Sequence, residues 1–245
     1  MSDLAHQSDW PASKHALVRD AILSMLDELG VGDALPSERR LAASLGVSRP
    51  TLRAVIDELV REGLLLRRHG SGTYVAEPKI AMPLTMTSFS EDMARRGMRP
   101  SSRVVSFDAT TAGAKLGQRL NLSPVEEVWV ITCLRLADDE TMAIEWLHAP
   151  RKLLPDLRRE DLASHSFYDL LRQRRGIVIA KGVQTIEPTV TSQEEAALLG
   201  VPVHAPAFLF ERTTESDGGE VVEFVRSVYR GDRYRLVTEL RPALR

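Results

Sequence analysis

Two helix starts only eleven residues apart, Ser37 and Ser48, dominate the reading of this chain. They lie in "LPSERRLAASLGVSRPTLRAVIDELVREGLLLRRHGSGTYV", Leu35–Val75. A serine oxygen accepts a hydrogen bond from a free amide of the first helical turn, so each serine reads as an N-cap. Pro36 and Ser37 open a short helix with Leu41, Ala42 and Leu45 turned inward, and Gly46 closes it. Val47 leads straight to Ser48 and a second helix. Pro50 is tolerated there because the first turn needs no amide donor. Leu52, Val55, Ile56, Leu59 and Val60 form the buried stripe of this helix, and Gly63 ends it. "LLLRRHGSGTYVA" then reads as two short strands around a glycine-containing turn. Upstream, residues 11–30 read as a helix with Leu17, Ile22, Met25, Leu26 and Leu29 at helical spacing and Gly30 as the stop. Three helices, the last two joined tightly, followed by a hairpin make a winged helix-turn-helix.

The charge pattern agrees with that shape. The formal net charge is −2, so a nucleic-acid reader must rely on a local patch. Between Arg39 and Arg68 stand seven arginines against three carboxylates, a local excess of positive charge. A recognition helix presents its N-terminal residues to base edges, and arginine bonds bidentately to guanine. Arg49 and Arg53, four apart, share one face. Ser48 and Thr51 add hydroxyls, and Arg39 sits in the first turn of the preceding helix. Arg67, Arg68 and His69 belong to the wing, where Gly70 and Gly72 let the backbone approach the minor groove. For any single arginine a surface ion pair, such as Arg53 with Asp57, is the simpler reading. The whole set in one winged helix favours DNA.

Several functions are disfavoured. Cys133 is the only cysteine, which excludes an intrachain disulfide and a cysteine-based zinc site. The six histidines show no metal-ligand spacing. No metal, no cofactor and no enzymatic activity are expected, because no nucleophile–base pair is visible. Glu145 and Glu223 stay open as a carboxylate pair of unknown separation. No apolar run reaches the ~18 residues of a membrane span, and the N-terminus has no signal-peptide core. A cytoplasmic location is expected.

Beyond residue 76 the pattern changes. Residues 77–86, with two prolines and no clear period, read as a linker. Seven strand-like segments follow, from "SRVVSFDA" to "YRLVTEL", with "DDE" and "DGG" as hairpin turns. Helices interrupt them at "SFSEDMARRG", "SFYDLLRQRRG" and "SQEEAALLG". An α+β fold on an antiparallel sheet is expected, with domains at 11–76 and 87–242. Ser88 and Glu91 form a capping-box pattern, and Ser166 starts a helix in the same style. Helix N-termini suit anions, and Arg135 on a strand is able to face the same anion. The simpler reading makes both serines caps and Arg135 a structural ion pair. Alternation places Glu223, Val225, Ser227 and Tyr229 on one face of a strand and Arg226 on the other.

The motifs LPSER, LGVSRPTLR and GLL…HGSGTYV resemble the DNA-binding domain of the GntR family of bacterial transcription regulators over about residues 11–76. The resemblance implies DNA contacts from Arg39, Arg49 and Arg53, with His69 and Gly70 at the minor groove. From about 80 to 242, "PLTMTSFSEDMARRGMRPSSRV" and "EFVRSVYRGDRYRL" resemble the UTRA effector domain of the HutC subfamily, which has a chorismate-lyase-like fold. Both segments are close to repressors of N-acetylglucosamine utilisation, which sense amino-sugar phosphates. By resemblance, Ser88, Ser90, Arg135 and Ser166 hold a phosphate, while Glu145, Glu223 and Tyr229 bond the hydroxyl or amide groups of a sugar. The resemblance also implies a homodimer on a palindromic operator, with a small polar effector such as an amino-sugar phosphate. One departure stands out: sensors of this kind often carry arginine where this chain has Cys133. A thiol lacks the charge and fork of a guanidinium, so the anion site is expected to be weakened, rebuilt with a group such as Arg226, or directed at another ligand.

Overall fold

The computed structural model describes residues 14–68 and 71–239, which divide into two compact units with the boundary between Lys79 and Ile80. In the first unit, helix α1 is Lys14–Glu28, α2 is Glu38–Ser44 and α3 is Arg49–Arg61. Strands β1 (Leu65–Arg68) and β2 (Gly72–Val75) pair antiparallel as the wing, Leu65 opposite Val75. Ser37 and Ser48 are the N-caps of α2 and α3, and proline stands in the first turn of α3. Leu52, Val55, Ile56 and Leu59 are fully buried and meet Ile22 and Leu41 in one apolar cluster. Leu17 departs from expectation: it is exposed, and its neighbour Val18 enters the core instead. A shift of one residue on a helix turns the side chain through about 100°, enough to exchange them. Residues 11–13 of the expected first helix lie outside the described residues.

The second unit begins earlier than its sequence suggests. Within the segment read as a linker, Ile80–Pro83 form strand β3, which pairs in parallel with β10 (Tyr234–Val237). The prolines did not preclude this, because β3 is an edge strand of a two-stranded sheet. Residues 76–79, before β3, and 84–88, after it, lack regular structure. Then follow α4 (Phe89–Arg95), β4 (Pro100–Thr111), α5 (Gly113–Leu120), β5 (Glu127–Ala137), β6 (Glu140–Pro150), α6 (Asp161–Ser164), α7 (Phe167–Arg175), β7 (Ile179–Val190), α8 (Gln193–Leu199), β8 (Pro206–Ser216) and β9 (Val221–Arg230). Six strands form one antiparallel sheet in the order β4-β5-β6-β9-β8-β7. Helices α5 and α6 carry no side-chain cap and have no counterpart in the sequence reading.

Local chemistry explains the sheet's connections. Asp138 and Asp139 both have positive φ, 49° and 68°, and join β5 to β6 in a two-residue turn. That backbone matches the twist of the flanking strands. One face of the sheet carries Ile131, Cys133, Leu147 and Val225, packed against α7 through Phe167, Leu170 and Leu171. The opposite face carries Leu134, Ile144 and Val228, packed against Leu199 of α8. On the first face, toward Phe208, Tyr229 and Tyr234, the apolar packing gives way to polar residues.

Candidate nucleic-acid interface and effector cleft

At the start of α3 the Ser48 hydroxyl accepts from the Thr51 amide at 3.3 Å and shares a 2.8 Å hydrogen bond with the Thr51 hydroxyl. Both hydroxyls therefore fix the helix end, and Arg49 and Arg53 project from the first two turns as exposed side chains. Arg39 is exposed in the first turn of α2. The ion pair expected between Arg53 and Asp57 does not form. Arg53 instead donates through Nη2 and Nε to Glu38 of α2, at 2.7 and 3.1 Å. Asp57 accepts from Arg67 of the wing at 2.6 Å, and Arg67 also reaches Glu38 at 3.4 Å. An exposed chain of alternating charge thus ties α2, α3 and β1 together. Arg39, Ser48, Arg49, Thr51, Arg53 and Arg67 fall on these three elements; His69 and Gly70 lie outside the described residues.

In the second unit, β6, β8 and β9 present Glu145, Arg212, Glu223, Ser227 and Tyr229 to one cleft, beside the N-termini of α4 and α7. Period-two alternation does this, because cross-strand neighbours Glu145↔Ser227, Val225↔Arg212 and Glu223↔Thr214 share a face. The cleft has two compartments that share Ser88, Phe89, Glu145 and Arg212. The wider, about 640 Å³ including its open mouth, contains Tyr229. The narrower contains Ser90, Arg135, Ser166 and Glu223. All seven effector residues named from the sequence therefore line it.

The electrostatics are those of matched buried charges. Arg135 and Glu145, each under a tenth exposed, form an ion pair, and Arg135 Nη1 also donates to Ser102 Oγ at 2.6 Å. Glu223 is 2% exposed, and its Oε1 accepts from Tyr168 at 2.5 Å and Thr214 at 3.0 Å. Arg212 stands 3.6 Å from that same oxygen. Burial pushes the Glu223 carboxyl above its usual range, and the charge of Arg212 opposes the shift. Burial likewise raises the Tyr168 and Tyr229 phenols, so both stay protonated donors. With Glu145 held by Arg135 and Glu223 by two hydroxyl donors, neither carboxylate is set as a free base.

Several sequence expectations need correction. Ser88 accepts from the Glu91 amide at 3.2 Å, but the Glu91 carboxylate turns to Arg95 at 2.5 Å, so only half of a capping box forms. The complete box is at Ser192 and Glu195. Ser166 accepts from the Asp169 amide at 3.1 Å and donates to its carboxylate at 2.7 Å. Cys133 does not reach the cleft: it is 2% exposed in the apolar cluster, where burial pushes its thiol up to about 11. Arg226 cannot rebuild an anion site, because it lies on the other face, 4.7 Å over the Trp146 ring and 3.7 Å from Glu195. The residues the sequence reading missed are Arg212, Tyr168 and Thr214. Arg212 and Thr214 sit on β8, whose alternation points them inward, but only pairing with β9 reveals what they face.

Comparison with known proteins agrees with both halves. Residues 15–75 match the family described as bacterial regulatory proteins, gntR family, and residues 95–235 match the UTRA domain. The HTH-type transcriptional repressor NagR of Bacillus subtilis is 41% identical over 204 residues, covering 83% of this chain and 84% of the relative. The repressor PhnF of Mycolicibacterium smegmatis is 34% identical, covering 90% and 89%. A crystal structure of PhnF from Mycobacterium smegmatis superposes with a TM-score of 0.67 at 32% identity, covering 92% of this chain and all of that one. No described helix is long and apolar enough to cross a membrane. Members of this family are transcriptional regulators that bind DNA operators and small-molecule effectors, not enzymes. The winged helix, the charged cleft and these matches together establish that the chain belongs to the GntR family, as a HutC-type transcriptional regulator with a UTRA effector domain.

Proposed function

We propose that the protein is a homodimeric repressor released from a palindromic operator by an amino-sugar phosphate. The observation that carries this reading is the cleft, where buried Arg135 and half-buried Arg212 lie beside Glu145, Glu223 and four serines, Ser88, Ser90, Ser166 and Ser227. A ligand suited to it has an anionic group for the guanidiniums and hydroxyl or amine donors for the carboxylates. Each protomer lays α3 in the major groove of one half-site, with Arg49 and Arg53 at base edges and Arg39, Ser48, Thr51 and Arg67 on base edges or phosphates. His69 and Gly70 serve the minor groove. The effector weakens DNA binding to the extent that it prefers the released state. Similarity to the transcriptional repressor NagR supports the repressor role.

Fluorescence polarisation on a candidate palindromic operator, with a panel containing N-acetylglucosamine 6-phosphate and glucosamine 6-phosphate, tests the reading. Release by one of these supports it. Operator binding that no sugar phosphate alters sinks the effector class. A second reading, a non-phosphorylated ligand, draws on the facts that each cleft arginine is already opposed by a carboxylate and that Cys133 adds no charge. Release by an unphosphorylated sugar alone selects it.

A further inference from the structure

We propose that Arg212 is the group that selects an anionic effector, acting as a free arm opposite a fixed Arg135. This rests on the reading of the cleft as the effector site and names the side chain within it that confers preference for a negative charge.

The two arginines differ in how they are held. Arg135 is committed: one terminal nitrogen donates to Ser102 and the other to Glu145. Arg212 is not. At 3.6 Å, its approach to Glu223 is longer than a hydrogen bond. The buried Nε of both arginines lacks a hydrogen-bond partner, so the two differ at their terminal nitrogens. Its guanidinium rests 5.8 Å over the Tyr168 ring, and its side chain is 22% exposed, so it is covered yet reachable from the cleft. A ligand oxygen that accepts from the terminal nitrogens of Arg212 forms a charge-assisted hydrogen bond without breaking one already made.

Glu223 supplies the second half of the argument. Its Oε1 already receives hydrogen bonds from Tyr168 and Thr214. When Arg212 turns to a ligand anion, Glu223 therefore keeps its hydrogen-bond donors. The same move by Arg135 breaks the buried pair with Glu145, a much larger loss. Arg212 also lines both compartments, so it reaches an anion in either one. A guanidinium on one arm presents a planar fork suited to phosphate or carboxylate.

Isothermal titration of the full chain with glucosamine 6-phosphate and with glucosamine tests this, using wild type, Arg212→Gln and Arg212→Lys. In the wild type the phosphorylated sugar binds more tightly. Arg212→Gln weakens it by roughly 10- to 100-fold, the range for charge-assisted hydrogen bonds, and leaves glucosamine nearly unaffected. Arg212→Lys restores part of the loss, because it keeps charge without the fork. The double variant Arg212→Gln/Glu223→Gln removes both charges of the pair and guards against a folding defect in the single variant. It weakens binding of both sugars, because Glu223 faces the sugar, and lowers the preference for the phosphorylated one by the same factor. If either glutamine variant folds and keeps the wild-type preference for the phosphorylated sugar, the role of Arg212 is overturned while the effector class stands. If the wild type binds operator but neither sugar, the effector class fails and the role of Arg212 fails with it.

Discussion

Arginines crowd both units, but the two units hold them differently. Around α3 the pairs Arg53–Glu38 and Arg67–Asp57 lie in solvent. In the cleft, Arg135–Glu145 is sealed from it. An exposed pair gains little, because water and salt compete for both charges. Its arginine is free to exchange a carboxylate for a DNA phosphate at small cost. A sealed pair cannot exchange cheaply, since either charge left alone is stranded in low dielectric. The winged helix thus keeps its cations available, and the effector unit keeps Arg135 in a fixed position. That contrast suits a surface that meets a long polyanion and a pocket that must tell one small molecule from another.

The contrast is testable, beginning with its largest consequence. Glu145→Ala leaves Arg135 buried and unpaired, and should cost about 3–5 kcal/mol of stability in thermal or urea unfolding. Glu38→Ala, its counterpart on the surface, should leave the melting transition nearly where it was. Equal losses from the two would erase the distinction. On DNA the order reverses. Arg53→Ala should weaken a specific operator by roughly 10- to 100-fold, with base readout lost at its position. Glu145→Ala in a folded sample should bind that operator as the wild type does without effector. Smaller still, Ser48→Ala removes the cap of α3 and should cost about 1 kcal/mol, with a matching drop in operator affinity because Arg49 follows directly.

The smallest effect is a dependence on acid confined to the effector unit. His148 is half-buried, stacked 5.7 Å from the Phe224 ring, and burial holds its pKa below 6.5. The unfolded chain binds that proton more readily, so stability falls as pH drops below about 6.5. Glu223 acts in the opposite sense: its carboxyl is raised, so its contribution is present at low pH and is lost as pH rises above about 4.5. His148→Phe should flatten the first slope and leave the second. An unchanged slope between pH 6.5 and 5 would show that His148 does not set it.

Features fixed by local chemistry were legible in the sequence. The caps at Ser37, Ser48, Ser88 and Ser166, the two-aspartate turn and the apolar stripe of α3 depend on neighbours a few residues away. Alternation along β9 was enough to put Glu223 and Tyr229 on one face and Arg226 on the other. Features set across the sheet were not legible. Arg53 chose Glu38, fifteen residues away, over Asp57 one turn away. Arg212 gained meaning only once β8 was registered against β9. Strand β3 was invisible for the same reason, since its partner lies about 150 residues downstream.

That last pairing has a consequence of its own. Ile80 lies beside Tyr234 and Pro83 beside Val237, so the first and last strands described in the effector unit are neighbours in one small sheet. Because the strands run parallel, the chain enters at one end of this pair and leaves at the other, only roughly 10 Å away along four-residue strands at ~3.3 Å per residue. A unit whose entry and exit lie this close can be cut out, or spliced behind a different head, without threading a new chain across its surface. The second unit is, in this sense, a cartridge: its first and last described strands close on each other, and residues 76–79 carry the chain into it from the wing.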